Sequence, residues 1–223
     1  MAILIDSKNQ TALTSGSPTL EHKVGSSSGN NLLILGIIGR TAANPTHDKV
    51  TYNGVDMTKD KDQIFGTNIR VSIWSLVAPS TGSNTIQVYF SANNNCRLIS
   101  SSYFGVTQSS ALDVATSSSG TTASISDSVT TSVSETLTVD ALMHEDTSAS
   151  TPGSSQTTIF ATDEGQWNSG ASYVVVTSQG DVTMAWTAGG SDSYSHSVAS
   201  YKAASTTDTG ASNDTDPRIF LVS

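Results

Sequence analysis

Hydrophobic and polar residues alternate along most of this chain, most clearly between Ile69 and Gln108. In Thr85–Phe90 the residues Ile86, Val88 and Phe90 fall on one side and Thr85, Gln87 and Tyr89 on the other, the two-residue period of a half-buried strand. Before it, Pro79-Ser80-Thr81-Gly82-Ser83-Asn84 combines a fixed φ, a residue free to take positive φ and short side chains that bond their own backbone, which predicts a turn. The stretch reads as three strands and two turns. Leu32 to Ile38 is apolar at both parities, interrupted only by Gly36, as in a strand central to a sandwich or covered on both faces. Short strands are predicted at Ala2–Ile5, Ala12–Thr14 and Thr19–Val24, with a linker at Gly25–Asn31. Lys49–Thr58 predicts a strand pair turning at Asn53-Gly54, a strong hairpin signal. Thr41–Asp48 and the charged Lys59–Gln63 read as loops.

Beyond Gln108 the pattern is weaker. A polar loop carries Leu112 and Val114, and a Ser/Thr/Gly tract spans Thr116–Thr122. Strands are predicted around Ala123–Val129, Glu135–His144, Thr157–Thr162, Ser172–Thr177, Asp181–Thr187 and Tyr194–Ala203, with a long connection at Glu145–Ser155. No stretch of about twelve residues holds a 3.6-residue apolar period. The expected fold is all-β with almost no helix: an antiparallel β-sandwich of jelly-roll type, one domain over residues 1–203, with residues 1–30 readable as an N-terminal arm. Residues 204–223 form a polar linker ending in the apolar run Arg218, Ile219, Phe220, Leu221, Val222. That run either closes its own sheet or pairs with an edge strand of a neighbouring subunit.

Composition narrows the function classes. The 223 residues carry 10 basic against 19 acidic side chains, a net charge of −9, so phosphate binding by a broad electropositive surface is disfavoured and no nucleic-acid partner is expected. Only 13% of residues are charged while 36% are hydrophobic, which fits neither a charged disordered chain nor a helical bundle. Cys96 stands alone, so no intrachain disulfide or thiolate metal site can form, and a buried free thiol is expected. The start, MAILIDSKNQ, lacks the basic and apolar regions of a signal peptide, and no run approaches the about 18 apolar residues of a membrane span.

Candidate chemistry is sparse. Serine is so abundant that its co-occurrence with His22, His47, His144 or His196 carries no information, and there is no G-x-S-x-G elbow between a strand and a helix. A carboxylate pair for glycoside cleavage could be drawn from Asp140, Glu145, Asp163 and Glu164, but nothing sets two of them apart. No cofactor is expected. Loop calcium is the nearest exception, through Asp60 and Asp62 or through Asp208, Asp214 and Asp216, although no D-x-D-x-D-G loop is present. Trp167, in a loop with Glu164, Gln166 and Asn168, is the best aromatic for stacking on a glycan or a protein partner; packing over a sandwich end is the alternative. Trp74 and Trp186 lie inside strands and are expected in the core.

Three stretches, Val50–Thr58 (VTYNGVDMT), Trp74–Val88 (WSLVAPSTGSNTIQV) and Tyr103–Gln108 with Leu112-Asp113, resemble scaffold motifs of a jelly-roll or concanavalin-like β-sandwich domain found in bacteriophage virion proteins and bacterial surface proteins. The resemblance covers residues 30 to 116 and implies a fold and a context, with no catalytic residue. On it rests the expectation of a non-enzymatic structural protein on the exterior of a phage-like virion: a capsid decoration or cement protein, or a tail or fibre component. It would be made in the host cytoplasm without a signal peptide and would bind capsid proteins and copies of itself. The alternative is a carbohydrate-binding module or adhesin that uses the Trp167 loop on surface glycans.

Overall fold

The structure is a computed structural model that describes residues 2–26, 29–40, 46–91, 95–146, 148–163, 165 and 167–205. Among the described residues there is no helix, and eighteen strands pair antiparallel into four sheets. The first half of the chain supplies β1 (Leu4–Gln10), β2 (Thr14–Ser15), β3 (Thr19–Val24), β4 (Leu32–Arg40), β5 (Lys49–Tyr52), β6 (Val55–Asp56), β7 (Thr58–Phe65), β8 (Ile69–Val77), β9 (Gly82–Tyr89) and β10 (Asn95–Phe104). The second supplies β11 (Leu112–Thr121), β12 (Ser124–Thr130), β13 (Thr136–His144), β14 (Thr151–Pro152), β15 (Thr157–Asp163), β16 (Asn168–Val176), β17 (Asp181–Thr187) and β18 (Ser193–Lys202).

Each half is a sandwich, and both have the same strand order. In the first, an inner sheet β1-β10-β4-β8-β7, with β2 also on β10, faces an outer sheet β3-β9-β5-β6. In the second, the inner sheet is β11-β18-β13-β16-β15 and the outer sheet β12-β17-β14. The correspondence extends to irregularities. The first strand of each half bulges at an aspartate, Asp6 in β1 and Asp113 in β11. Each aspartate accepts a backbone N–H from the loop after the next outer strand, Gly25 at 2.7 Å and Ser132 at 2.8 Å. The hairpins β7–β8 and β15–β16 also bulge at matching places, Asp60 and Ile159. Aligning the halves on either pair of bulges gives one correspondence through the ladders. Tyr103 matches Tyr201, Ile69 matches Trp167, Leu35 matches Asp140, Trp74 matches Ser172, and Leu98 matches His196.

The halves stack with inner sheets face to face, giving four layers at the usual spacing of about 10 Å per pair. Alternation along the strands explains why. In β4, Leu33, Leu35 and Ile37 point to the first outer sheet and pack with Val50, Tyr52, Trp74, Ile86 and Val88. Leu32, Ile34 and Ile38 point the other way and meet Leu137, Val139, Ala141 and Met143 of β13. At the crossing of β4 and β13, a Cβ on Gly36 would lie 3.3 Å from the Ala141 methyl, so the glycine sets how closely the two central strands approach. The stack is unevenly closed. On one side β7 packs on β11 and β18, with Gln63 bonded to both Ser117 and Ser119. On the other, a cavity of about 260 Å³ remains between β1 and β15, lined by Lys8, Gln10, Ile99, Ile159 and Phe160.

The expected antiparallel all-β sandwich is present, and Leu32–Ile38 is covered on both faces. A single jelly roll would place all strands in two sheets, whereas these occupy four. Two segments expected as loops are strands. Lys59–Gln63 lies within β7, where alternation and the Asp62–Arg70 ion pair accommodate its charges. The tract from Leu112 to Thr121 is β11, paired along its length with β18; Ser and Thr fit a pleated surface without giving an apolar signal. Cys96 is a free, fully buried thiol whose pKa burial pushes up to about 12.

Candidate functional site

The densest polar chemistry lies inside the second sandwich, centred on Asp140 of β13. Even-numbered residues of β13 face the outer sheet, so the carboxylate enters the interlayer space at 3% exposure. Its cross-strand neighbour on β16 is Ser172, whose backbone N–H and hydroxyl both donate to Asp140 Oδ1 at 2.7 Å. From β17, Trp186 Nε1–H donates to Oδ2 at 2.7 Å. The indole lies over β16 where a Cβ on Gly170 would meet it at 2.6 Å, so only glycine fits there. From β18, His196 sits between two carboxylates, with Nε2 3.2 Å from Asp140 Oδ2 and Nδ1 2.7 Å from Asp127 Oδ2 of β12. Asp127 also accepts Ser118 Oγ–H at 2.7 Å.

Gln156 completes the cluster from the turn between β14 and β15, closed by Gln156 N–H on Gly153 carbonyl at 2.9 Å. Its Oε1 accepts Ala185 N–H at 2.7 Å, and its Nε2 lies 2.6 Å from Ser172 Oγ and 3.3 Å from Asp140 Oδ2. A Cβ on Gly153 would stand 2.7 Å from Gln156 Oε1, so this glycine makes room for the amide.

The electrostatics follow from burial against charge. Desolvation alone would lower the His196 pKa, but the hydrogen bonds and charges of Asp127 and Asp140 outweigh it and raise it to about 9, so the ring is an imidazolium at neutral pH. Burial opposes ionisation of Asp127, yet the His196 and Ser118 hydrogen bonds hold its carboxyl below the usual range. The other histidines are buried too. His22, bonded to Ser100, Ser102 and Ser7, is lowered by burial to about 4. His47, against Ser72, is lowered by burial to about 3. His144 Nε2 meets Thr122 carbonyl at 3.1 Å.

The residues singled out from sequence are mostly elsewhere. Trp167 is 4% exposed and packs in the core between the inner sheets, the place of Ile69 in the other half. That overturns its use as a stacking platform: the strand begins at Asn168, earlier than expected, and the alternation turns the indole inward. Asn168 is also buried and donates to the Asp146 carbonyl at 3.1 Å. Glu164 and Gln166 lie outside the described residues, as do Arg218, Ile219, Phe220, Leu221, Val222, Asp208, Asp214 and Asp216. Of the remaining calcium candidates, Asp60 accepts Tyr201 Oη–H at 2.6 Å, and Asp62 is bound to Arg70, with Nε at 2.8 Å. Of the carboxylates considered for glycoside cleavage, Asp140 is enclosed, Glu145 pairs with Arg40 at 2.9 Å, and Asp163 caps Gly165 N–H at 2.6 Å. No open cleft joins them among the described residues. The Asp140 cluster itself gave no sequence signal, because its members come from seven separate elements.

Compared with known proteins, the chain matches no family model, no curated sequence and no solved structure.

Proposed function

We propose that this chain is a structural, non-enzymatic component of a phage-like particle, displayed on its exterior as a capsid decoration protein or a tail component. The observation that carries the reading is an apolar rim. Leu4, Ile5 and Leu13 are 62%, 37% and 41% exposed, and all lie in the N-terminal segment along the edge of the first inner sheet. Leu4 and Ile5 lie at one end of that edge, opposite Phe104 and Tyr103, and Leu13 lies near the other, next to Thr14 on Cys96, so on a chain of net charge −9 the edge offers apolar side chains at both ends for contact with another protein. The four-layer body supplies rigidity, and its histidines and the Asp140 cluster are enclosed rather than presented to a substrate. The resemblance of Val50–Thr58, Trp74–Val88 and Tyr103–Gln108 to virion sandwich motifs supplies the context. The glycan-binding alternative loses the exposed tryptophan on which it rested.

The test uses particles purified from a lysate of the source. Antibody against the chain is expected to label intact particles from outside. The variant Leu4→Ser/Ile5→Ser/Leu13→Ser is expected to keep its melting temperature and fail to incorporate. Particles that lack the chain, or incorporation of the variant at the normal level, overturn the proposal.

A further inference from the structure

The cluster around Asp140 brings a hydroxyl, a carboxylate and a side-chain amide into mutual contact. Ser172 Oγ–H points at a carboxylate oxygen 2.7 Å away, the placement of a nucleophile on its base. The amide within reach of that hydroxyl is the side chain of Gln156. Its nitrogen is 2.6 Å from Ser172 Oγ, so the carbonyl carbon lies no more than one covalent bond beyond that contact. The amide oxygen rests on Ala185 N–H at 2.7 Å, a fixed donor where negative charge would develop. The second oxygen of Asp140 is 3.3 Å from the amide nitrogen, the group that would leave.

We propose that Ser172 and Gln156 join in an intramolecular ester, formed by the chain on itself. Ser172 Oγ attacks Gln156 Cδ as Asp140 takes the hydroxyl proton. The carbonyl electrons move onto Oε1, held by Ala185 N–H. The intermediate then collapses: the Cδ–Nε2 bond breaks, Asp140 returns the proton to the departing nitrogen, and one NH₃ is released. The oxygen–carbon bond replaces the nitrogen–carbon bond, no oxidant or reductant is needed, and Asp140 ends as it began. His196 and Trp186 are positioning residues that fix the carboxylate. Ser172 is fully buried and Asp140 nearly so, and a site closed to water protects the ester from hydrolysis.

The duplicated architecture argues against a purely structural cluster. The first sandwich has the same strand order with Leu35 in place of Asp140, Trp74 in place of Ser172 and Leu98 in place of His196. The fold therefore stands on apolar residues at these positions. Burying carboxylates and an imidazolium there costs desolvation that an apolar set avoids. The bond would tie the turn leaving the outer sheet to a strand of the inner sheet, a covalent staple in a chain whose one cysteine cannot form an intrachain disulfide.

The experiment is intact-mass measurement of the folded full chain, followed by peptide mapping. The expected mass is short of the sequence mass by one NH₃, with the peptides that contain Gln156 and Ser172 recovered joined and separated by hydroxylamine. Ser172→Ala, and independently Gln156→Leu, are expected at full mass. A folded wild-type chain at full sequence mass, with the two peptides free, overturns the proposal. So does a deficit that persists in either variant or maps to Asn53-Gly54, where a succinimide would lose the same group.

Discussion

Replacing Trp167 by alanine separates two readings of one residue. On an exposed loop the indole would be dispensable for stability, and its loss would show only in ligand binding. At 4% exposure between the inner sheets, among Ile69, Tyr103, Ala171 and Tyr201, it is part of the apolar surface that holds the halves together. Trp→Ala in a packed core costs about 3–5 kcal/mol, the transfer of the ring plus the cavity it leaves. The site is enclosed by strand backbones on both sides, so it has little freedom to collapse, and the upper part of that range is expected. For a chain of this size each kcal/mol moves Tm by about 2–4 °C, so about 4–5 kcal/mol gives a fall of roughly 8–20 °C. Calorimetry reads this directly. A Tm within about 2 °C of wild type would mean that Trp167 does not sit between the sheets.

Two further predictions concern the layers. His22 and His47 are neutral in the folded chain, with pKa about 4 and about 3 against 6.5 unfolded. The unfolded chain therefore takes up protons first as pH falls below 6.5, and stability drops by roughly 1.4 kcal/mol per unit per histidine. His196, raised to about 9, contributes stability that is complete below 6.5 and lost as pH rises through 9. Urea midpoints are expected to peak near neutral pH, and a midpoint flat from about pH 4 to 9 would refute the assignments. Gly36→Leu forces a side chain into the crossing of β4 and β13 and is expected to cost about 1–3 kcal/mol; an unchanged midpoint would show that the inner sheets do not meet there.

Much of the first sandwich was legible because its residues obey the strand period. Ile86, Val88 and Phe90 alternate, and the doubly apolar Leu32–Ile38 announced a strand with partners on both faces. The second sandwich was harder to read. Its interlayer space is filled by Thr138, Asp140, Ser172, His196 and Ser200, so β13, β16 and β18 show polar residues where a core pattern expects apolar ones. For the same reason the duplication is invisible in sequence: matched positions such as Ile69 and Trp167, or Trp74 and Ser172, share a place in the ladder and nothing else. The weak signals that did exist were structural punctuation. Each half opens with a bulged aspartate, Asp6 and Asp113, and each long hairpin turns at a positive-φ glycine, Gly66 and Gly165.

The face-to-face packing of the inner sheets also sets a hazard during synthesis. The first half leaves the ribosome with Leu32, Ile34, Ile38, Ile69, Val71 and Tyr103 uncovered, and its cover is encoded about a hundred residues later. At 5–20 residues per second that is a wait of roughly 5–20 s, far longer than collapse takes. On a crowded polysome, a neighbouring nascent chain offers an equivalent second half, and exchange between the two yields a swapped dimer with every native interface intact. What favours pairing within one chain is the short tether from Phe104 to Leu112, which keeps the chain's own second half at a high effective concentration once it emerges.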